Sequence, residues 1–265
     1  MKIFNFVAGD LPILVSMPHN GFRIASDIAA QMNPLALKSA DTDWYLDRLY
    51  QFAGTMGCNL LIPEYSRYVL DLNRASSDES LYPGADVTGL CPVNQFDYQP
   101  LYQQGSEPDA AEIARRVEIY WRPYHQKLAT TLEALKQKFG YALLYEAHSI
   151  KSVVPRFFEG KLADFNFGNF DEKSSSIGLS QLIEDWQPQG YSKVFNQRFK
   201  GGYITRQYGN PVQNIDSLQL ELSQSTYLDE STLEYDSSKA REVQAQLKNL
   251  FESLAQFVRE RIKND

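Results

Sequence analysis

Apolar residues recur along this chain with two different periods. Unbroken or alternating runs of strand length occur at ILVSMPH, CNLLIPEY, RYVLDL, YALLYEAH and SLQLELSQ. Each is short and bounded by turn residues, which predicts strands, most of them buried on both faces. In SLQLELSQ the leucines Leu218, Leu220 and Leu222 take one face, so Gln219 and Glu221 take the other. A helical period predicts mild helix over 27–37 and a firmer one over 43–56, with Leu46, Leu49, Tyr50 and Ala53 on one side and Gly57 as its C-cap. From Asp109 to Phe139, apolar residues at steps of three and four predict one long amphipathic helix, kinked near Pro123 and stopped at Gly140. Val243, Leu247, Leu250, Leu254 and Phe257 predict a closing helix. Residues 73–105 have no period and many turn residues, Tyr82-Pro83-Gly84 among them. Residues 159–176, rich in Gly, Asp, Asn, Phe and Ser, are expected to form a mobile loop and a candidate lid.

Strands alternating with helices imply an α/β fold, a mostly parallel or mixed central sheet with helices on both faces. No linker, repeat or low-complexity tract divides the 265 residues, so one domain spanning 1–265 is expected. The net charge of −7, without a basic cluster, argues against nucleic acid or an anionic membrane as partner. No apolar stretch is long enough to span a membrane and no signal-peptide pattern opens the chain, so a cytoplasmic protein is expected. Cys58 and Cys91 form no CxxC and are expected to be reduced, inert thiols. Nothing in the pattern specifies an oligomeric state.

Two of the three histidines, His19 and His148, end predicted strands. In open α/β sheets the crevice beyond the strands' carboxyl ends is where ligands bind, so the two imidazoles are placed to meet there. A catalytic zinc takes about three protein ligands and keeps one position open. An acid is expected as the third: Asp43, at a predicted helix start, with Asp41 and Asp47 as alternatives. Two histidines and a carboxylate also suit cobalt or iron. These residues have ordinary structural uses too, a hydrogen-bonded imidazole or a helix cap, and the HExxH spacing is absent. Glu221, set in a leucine-rich strand, either pairs with a cation or serves as a general base. In SRYVLDLNR, Arg67 and Arg74 lie on either side of an apolar run, with Asn73 beside Arg74, and Arg156 and Arg206 lie in VVPRFFEG and GGYITRQYG. The four guanidinium forks are expected to make an anion pocket for a small-molecule substrate.

Taken together, MPHNG, DTDWYLDRLY, YSRYVLDLNR with SLYPG and TGLCP, EAHSI, VPRFFEG, FKGGYITRQYG and LQLELSQ resemble the N-formylglutamate amidohydrolase (deformylase) family, over most of residues 10–230. That family is related to zinc carboxypeptidases and aspartoacylases. The resemblance implies a phosphorylase/hydrolase-like fold and zinc-dependent hydrolysis of N-formyl-L-glutamate, a dicarboxylate, to formate and L-glutamate, a late step of histidine degradation. It implies zinc on His19, Asp43 and His148, proton transfer by Glu221, and oxyanion stabilisation by Arg67. Asn73 and Arg74 would then hold one substrate carboxylate, and Arg206 with Arg156 the other, beside a closed acyl pocket. One departure stands out: the relatives carry glutamate three residues after the first histidine, where this chain has Phe22. A zinc amidohydrolase for another N-acyl amino acid, or a carboxypeptidase-like enzyme, is the nearest alternative. A non-enzymatic amino-acid-binding module is a more distant one.

Overall fold

The longest fully buried strand, Ala142–Ile150, runs through the middle of a seven-stranded sheet. The computed structural model describes residues 1–81, 84 and 86–263. In chain order its strands are β1 (Phe4–Val7), β2 (Ile13–Ser16), β3 (Asn59–Pro63), β4 (Ala142–Ile150), β5 (Phe165–Gly168), β6 (Lys193–Phe195) and β7 (Ile215–Ser223). They lie side by side as β1-β3-β2-β4-β7-β5-β6. β1 pairs antiparallel with β3, and β5 antiparallel with β7; the other neighbours are parallel, so the sheet is mixed. The helices are α1 (Ser26–Ala29), α2 (Leu46–Leu49), α3 (Gln51–Thr55), α4 (Ala110–Arg116), α5 (Arg122–Phe139), α6 (Ile177–Asp185), α7 (Tyr203–Tyr208) and α8 (Ser237–Lys263).

Strand alternation divides the core into two layers. Leu143, Tyr145 and Ala147 of β4, with Leu218, Leu220 and Leu222 of β7, face α8 and α6. Ala142 and Leu144 face α5, which adds Tyr124, Leu128, Leu132 and Leu135. By the same period of two, Glu146 and His148 point to the α5 side. The α/β architecture with helices on both faces is therefore as the pattern predicts. Cys58 and Cys91 are buried and unpaired, and burial pushes their thiols up to about 12 and about 11. No described helix is long and apolar enough to cross a membrane.

Several predicted elements differ. The helix over 109–139 is two helices joined by a π turn at Val117–Trp121. Pro123 falls in the first turn of α5, where its missing N–H costs nothing, and the π turn absorbs the break. Gly140, at φ +76°, ends α5 as expected. RYVLDL is a turn, not a strand: Tyr68, Val69, Leu70 and Leu72 all bury in the α5-side layer, which an alternating strand does not allow. The stretch 159–176 is not one loop, because it contains β5, an interior strand with Phe165 and Phe167 fully buried. Its polar residues belong largely to the turn after β5, where Phe170, Asp171 and Glu172 take positive φ. The helix over 43–56 splits into α2 and α3, and that over 27–37 reduces to α1 and one 3-10 turn. Tyr82 and Pro83 lie outside the described residues.

Candidate active site

The parallel strands β2, β4 and β7 present their carboxyl ends at one edge, and the candidate residues gather there. His19 follows β2, His148 lies near the end of β4, and Glu221 stands directly beside His148 on β7. Asp43 is drawn in by its own backbone, whose N–H donates to the His19 carbonyl at 3.1 Å. The expected reason for Asp43, a helix start, does not hold: α2 begins at Leu46, after Tyr45 at φ +60°. Asp43 does reach the histidines. Asp47 is exposed on α2, and Asp41 accepts from the Tyr68 hydroxyl at 2.6 Å, away from both imidazoles. Phe22 stacks on Trp44 and is 58% exposed, so the position three after His19 turns to solvent.

Three buried ligand atoms converge. His148 Nδ1 lies 3.1 Å from His19 Nδ1 and 3.2 Å from Asp43 Oδ2, and the third side of the triangle is 3.8 Å. Metal–ligand bonds of about 2.0–2.1 Å at tetrahedral angles place ligand atoms roughly 3.3 Å apart. The triangle thus has the dimensions of one face of a tetrahedral site, and the group can hold a metal ion. Behind each imidazole stands a buried acid. His19 Nε2 meets Asp71 Oδ1 at 2.6 Å, and His148 Nε2 meets Glu146 Oε1 at 2.7 Å. Such carboxylates fix the tautomer, leaving Nδ1 of each ring free to face a cation. Glu146 is held by the Thr205 hydroxyl and Asp71 by Arg67, at 2.5 and 2.8 Å; the Ser149 N–H orients Asp43 at 3.0 Å. Burial opposes charge on His148, but Glu146, Asp43 and Glu221 overcome it and hold its pKa well above the usual imidazole value. The surroundings therefore favour positive charge at this point. Burial, then Arg67, lower that of His19.

His19, Asp71, His148 and Glu221 line a cavity of about 210 Å³. Burial pushes the Glu221 carboxyl up to about 8; Asp43 and Glu146 add to the rise, while His148 and Arg67 oppose it. Arg67, Asn73 and Arg74 are on the wall; Nε of both arginines is buried without a hydrogen-bond partner among the described residues, that of Arg74 standing 3.9 Å from Asp71. Gly202 packs so tightly on Asn73 that a Cβ there would stand 2.3 Å from its Nδ2. Asn73 Oδ1 accepts from the Ile204 N–H at 2.8 Å. Arg156 and Arg206 are not among the described residues that line this wall. Arg156 is engaged by Asp86 and the Gln95 carbonyl, both at 2.8 Å, and Arg206 donates to the Gly201 carbonyl and lies over Phe170. Arg198 and Lys200, which sequence reasoning passed over, line the cavity instead. So did it pass over the acids Asp71 and Glu146.

The chain matches the family model described as N-formylglutamate amidohydrolase over residues 11–228. It is 43% identical to an N-formylglutamate deformylase of Pseudomonas putida and 45% identical to one of Pseudomonas aeruginosa, over 263 residues and 98% of each chain in both cases. Among solved structures, an N-formylglutamate amidohydrolase from Ralstonia eutropha JMP134 superposes with a TM-score of 0.84 at 28% identity, covering 98% of this chain and 99% of that one. The gene product Atu2144 of Agrobacterium tumefaciens, at a TM-score of 0.70 and 15% identity over 96% of each chain, shares the fold.

Proposed function

The chain belongs to the N-formylglutamate amidohydrolase family, and from that premise we propose that it hydrolyses N-formyl-L-glutamate to formate and L-glutamate at a zinc ion held by His19, Asp43 and His148. The observation that carries this reading is the His19–Asp43–His148 triangle, backed by Asp71 and Glu146 and flanked by Glu221. When bound, a divalent ion there supplies Lewis acidity, which makes water a competent nucleophile near neutral pH.

The chain's own residues do the remainder. Glu221 accepts one proton from the attacking water as the C–O bond forms and charge moves onto the carbonyl oxygen. It then delivers that proton to the nitrogen, the C–N bond breaks as the carbonyl re-forms, and formic acid loses its remaining proton to leave as formate. The position of Glu221 directly beside His148 on β7, on the wall of the cavity, is what suits it to this role. Arg67 faces the charge that develops on the carbonyl oxygen, where one preorganised donor contributes about 3 kcal/mol. Arg74, on the cavity wall with its Nε 3.9 Å from Asp71, takes one substrate carboxylate, and Asn73 shapes that wall. Arg198 and Lys200 replace Arg156 and Arg206 as the groups for the other carboxylate, because they line the cavity. We read residues 1–265 as one catalytic domain, since both core layers pack on the same sheet.

The test is formate release from N-formyl-L-glutamate by the purified chain, before and after chelation and after zinc is restored. Turnover that chelation abolishes and zinc restores is the expected result. Undiminished turnover in metal-free protein would overturn the metal reading. No formate from zinc-loaded protein would move the chemistry to another N-acyl amino acid.

A further inference from the structure

A second cavity, of about 180 Å³, adjoins the first. It is lined by Asp41, Gln95, Lys151, Val153, Val154 and Gln224 among others, and Phe96, Ser149 and Ile150 line both cavities. We propose that Phe96 and Ile150 form the partition that limits the acyl group of the substrate to formyl, and that the second cavity is the space a larger acyl group would need. This inference rests on the function proposed above.

The reacting carbonyl must lie beside the His19–Asp43–His148 centre and Arg67. The amino-acid portion must reach the cations Arg74, Arg198 and Lys200, which line the first cavity and not the second. The acyl substituent is left with the side that borders both Arg67 and Asp43. That side is the partition. The Phe96 ring lies 4.9 Å from the Arg67 guanidinium carbon, and the Ser149 N–H is 3.0 Å from Asp43 Oδ2. Ser149 is small and pinned, its Oγ accepting from the Tyr227 hydroxyl at 2.6 Å, so the bulk of the wall belongs to its two apolar neighbours. Ile150 is two residues beyond His148 on β4 and therefore shares its face. Phe96 is held on both sides: its N–H donates to Asp41, on the second cavity, at 2.9 Å, and its ring meets Phe157, on the first, edge-on at 4.8 Å. A formyl hydrogen fits against this wall. A methyl group in its place does not, because packed side chains yield little.

Ile150, Val154 and Leu162, with Phe96, Phe157 and Phe199 packed on them, form a small cluster separate from the two main layers. Trimming the partition therefore leaves the main core intact. The experiment compares kcat/KM for N-formyl-, N-acetyl- and N-propionyl-L-glutamate in the wild type, Phe96→Ala and Ile150→Ala, with thermal unfolding to verify folding and calorimetric binding of N-acetyl-L-glutamate as a readout independent of turnover. One methylene in an apolar pocket typically discriminates by about 10–200-fold. Each variant is expected to raise the acetyl-to-formyl ratio at least about tenfold and to tighten N-acetyl-L-glutamate binding, whereas Val153→Ala, on the second cavity alone, leaves both unchanged. Wild-type formate release with unaltered ratios and binding in folded variants overturns the partition alone. Absence of wild-type formate release overturns the functional reading, and the partition with it.

Discussion

Each of the two converging histidines has one ring nitrogen on a buried acid and the other on the shared centre, so the acids control how well the imidazoles bind. Replacing Glu146 with Gln keeps the shape but removes the charge that orients His148. Metal affinity is expected to fall about 10–100-fold, read by competition with a chromophoric chelator. Glu221→Gln should behave oppositely, retaining metal while kcat drops by about 10²–10⁴. Near-normal turnover in that variant would remove Glu221 from proton transfer. At this scale the sequence was legible where periodicity decides: His19 comes just past a strand, His148 lies near the end of one, and Glu221 takes the polar side of LQLEL. Glu146 obeyed the same rule, two residues before His148 on one strand, and was readable there. Asp43 was not separable from Asp41 and Asp47, since a single backbone bond to the His19 carbonyl selects it. Arg198 and Lys200 lie beyond β6 in irregular backbone, where no period states which way a side chain points.

Among the elements, α5 is tied to the substrate wall by the third histidine. His125 Nε2 donates to the Leu72 carbonyl at 2.8 Å, its Nδ1 accepts from the Tyr208 hydroxyl at 2.9 Å, and its ring stacks on Trp121 at 3.8 Å. This joins α5 to α7 and to the residue before Asn73. Burial lowers its pKa to about 4, against about 6.5 in an unfolded chain. The unfolded state binds this proton first, so the neutral imidazole's stabilisation is complete above about 6.5 and lost as pH falls towards 4. Between pH 7 and 5 the loss amounts to about 2 kcal/mol. Urea unfolding at both pH values should show a gap smaller by about that amount in His125→Gln; an equal gap would contradict the assignment. The elements read best were those with a long single period, α5, α8, β4 and β7. RYVLDL misled because three consecutive apolar residues can turn together into one layer as well as alternate across a strand. β5 was hidden because its four residues, FNFG, carry the same residue types as the turn that follows.

At the scale of the whole molecule, the candidate centre ties the loop after β2 to the end of β4, so metal should stabilise the fold as well as serve the chemistry. An ion present at 100 times its Kd adds about 2.7 kcal/mol. Chelation is accordingly expected to lower the Tm by roughly 5–10 °C, followed by circular dichroism, and an unmoved Tm would count against a bound ion. The α/β class was legible from the alternation of periods, but the strand order was not, because nothing local states which edge a strand will join. That order bears on how the chain is made. β1, β2 and β3 are complete once residue 63 has been synthesised, whereas the partner of β2's other edge begins only at residue 142. At about 5–20 residues per second, a nascent chain waits roughly 4–16 s with that apolar edge uncovered. Through that interval the edge is a template for pairing with a neighbouring chain. The central position that makes β4 the longest fully buried strand of the finished protein thus also leaves one edge of β2 unpaired until β4 has been made.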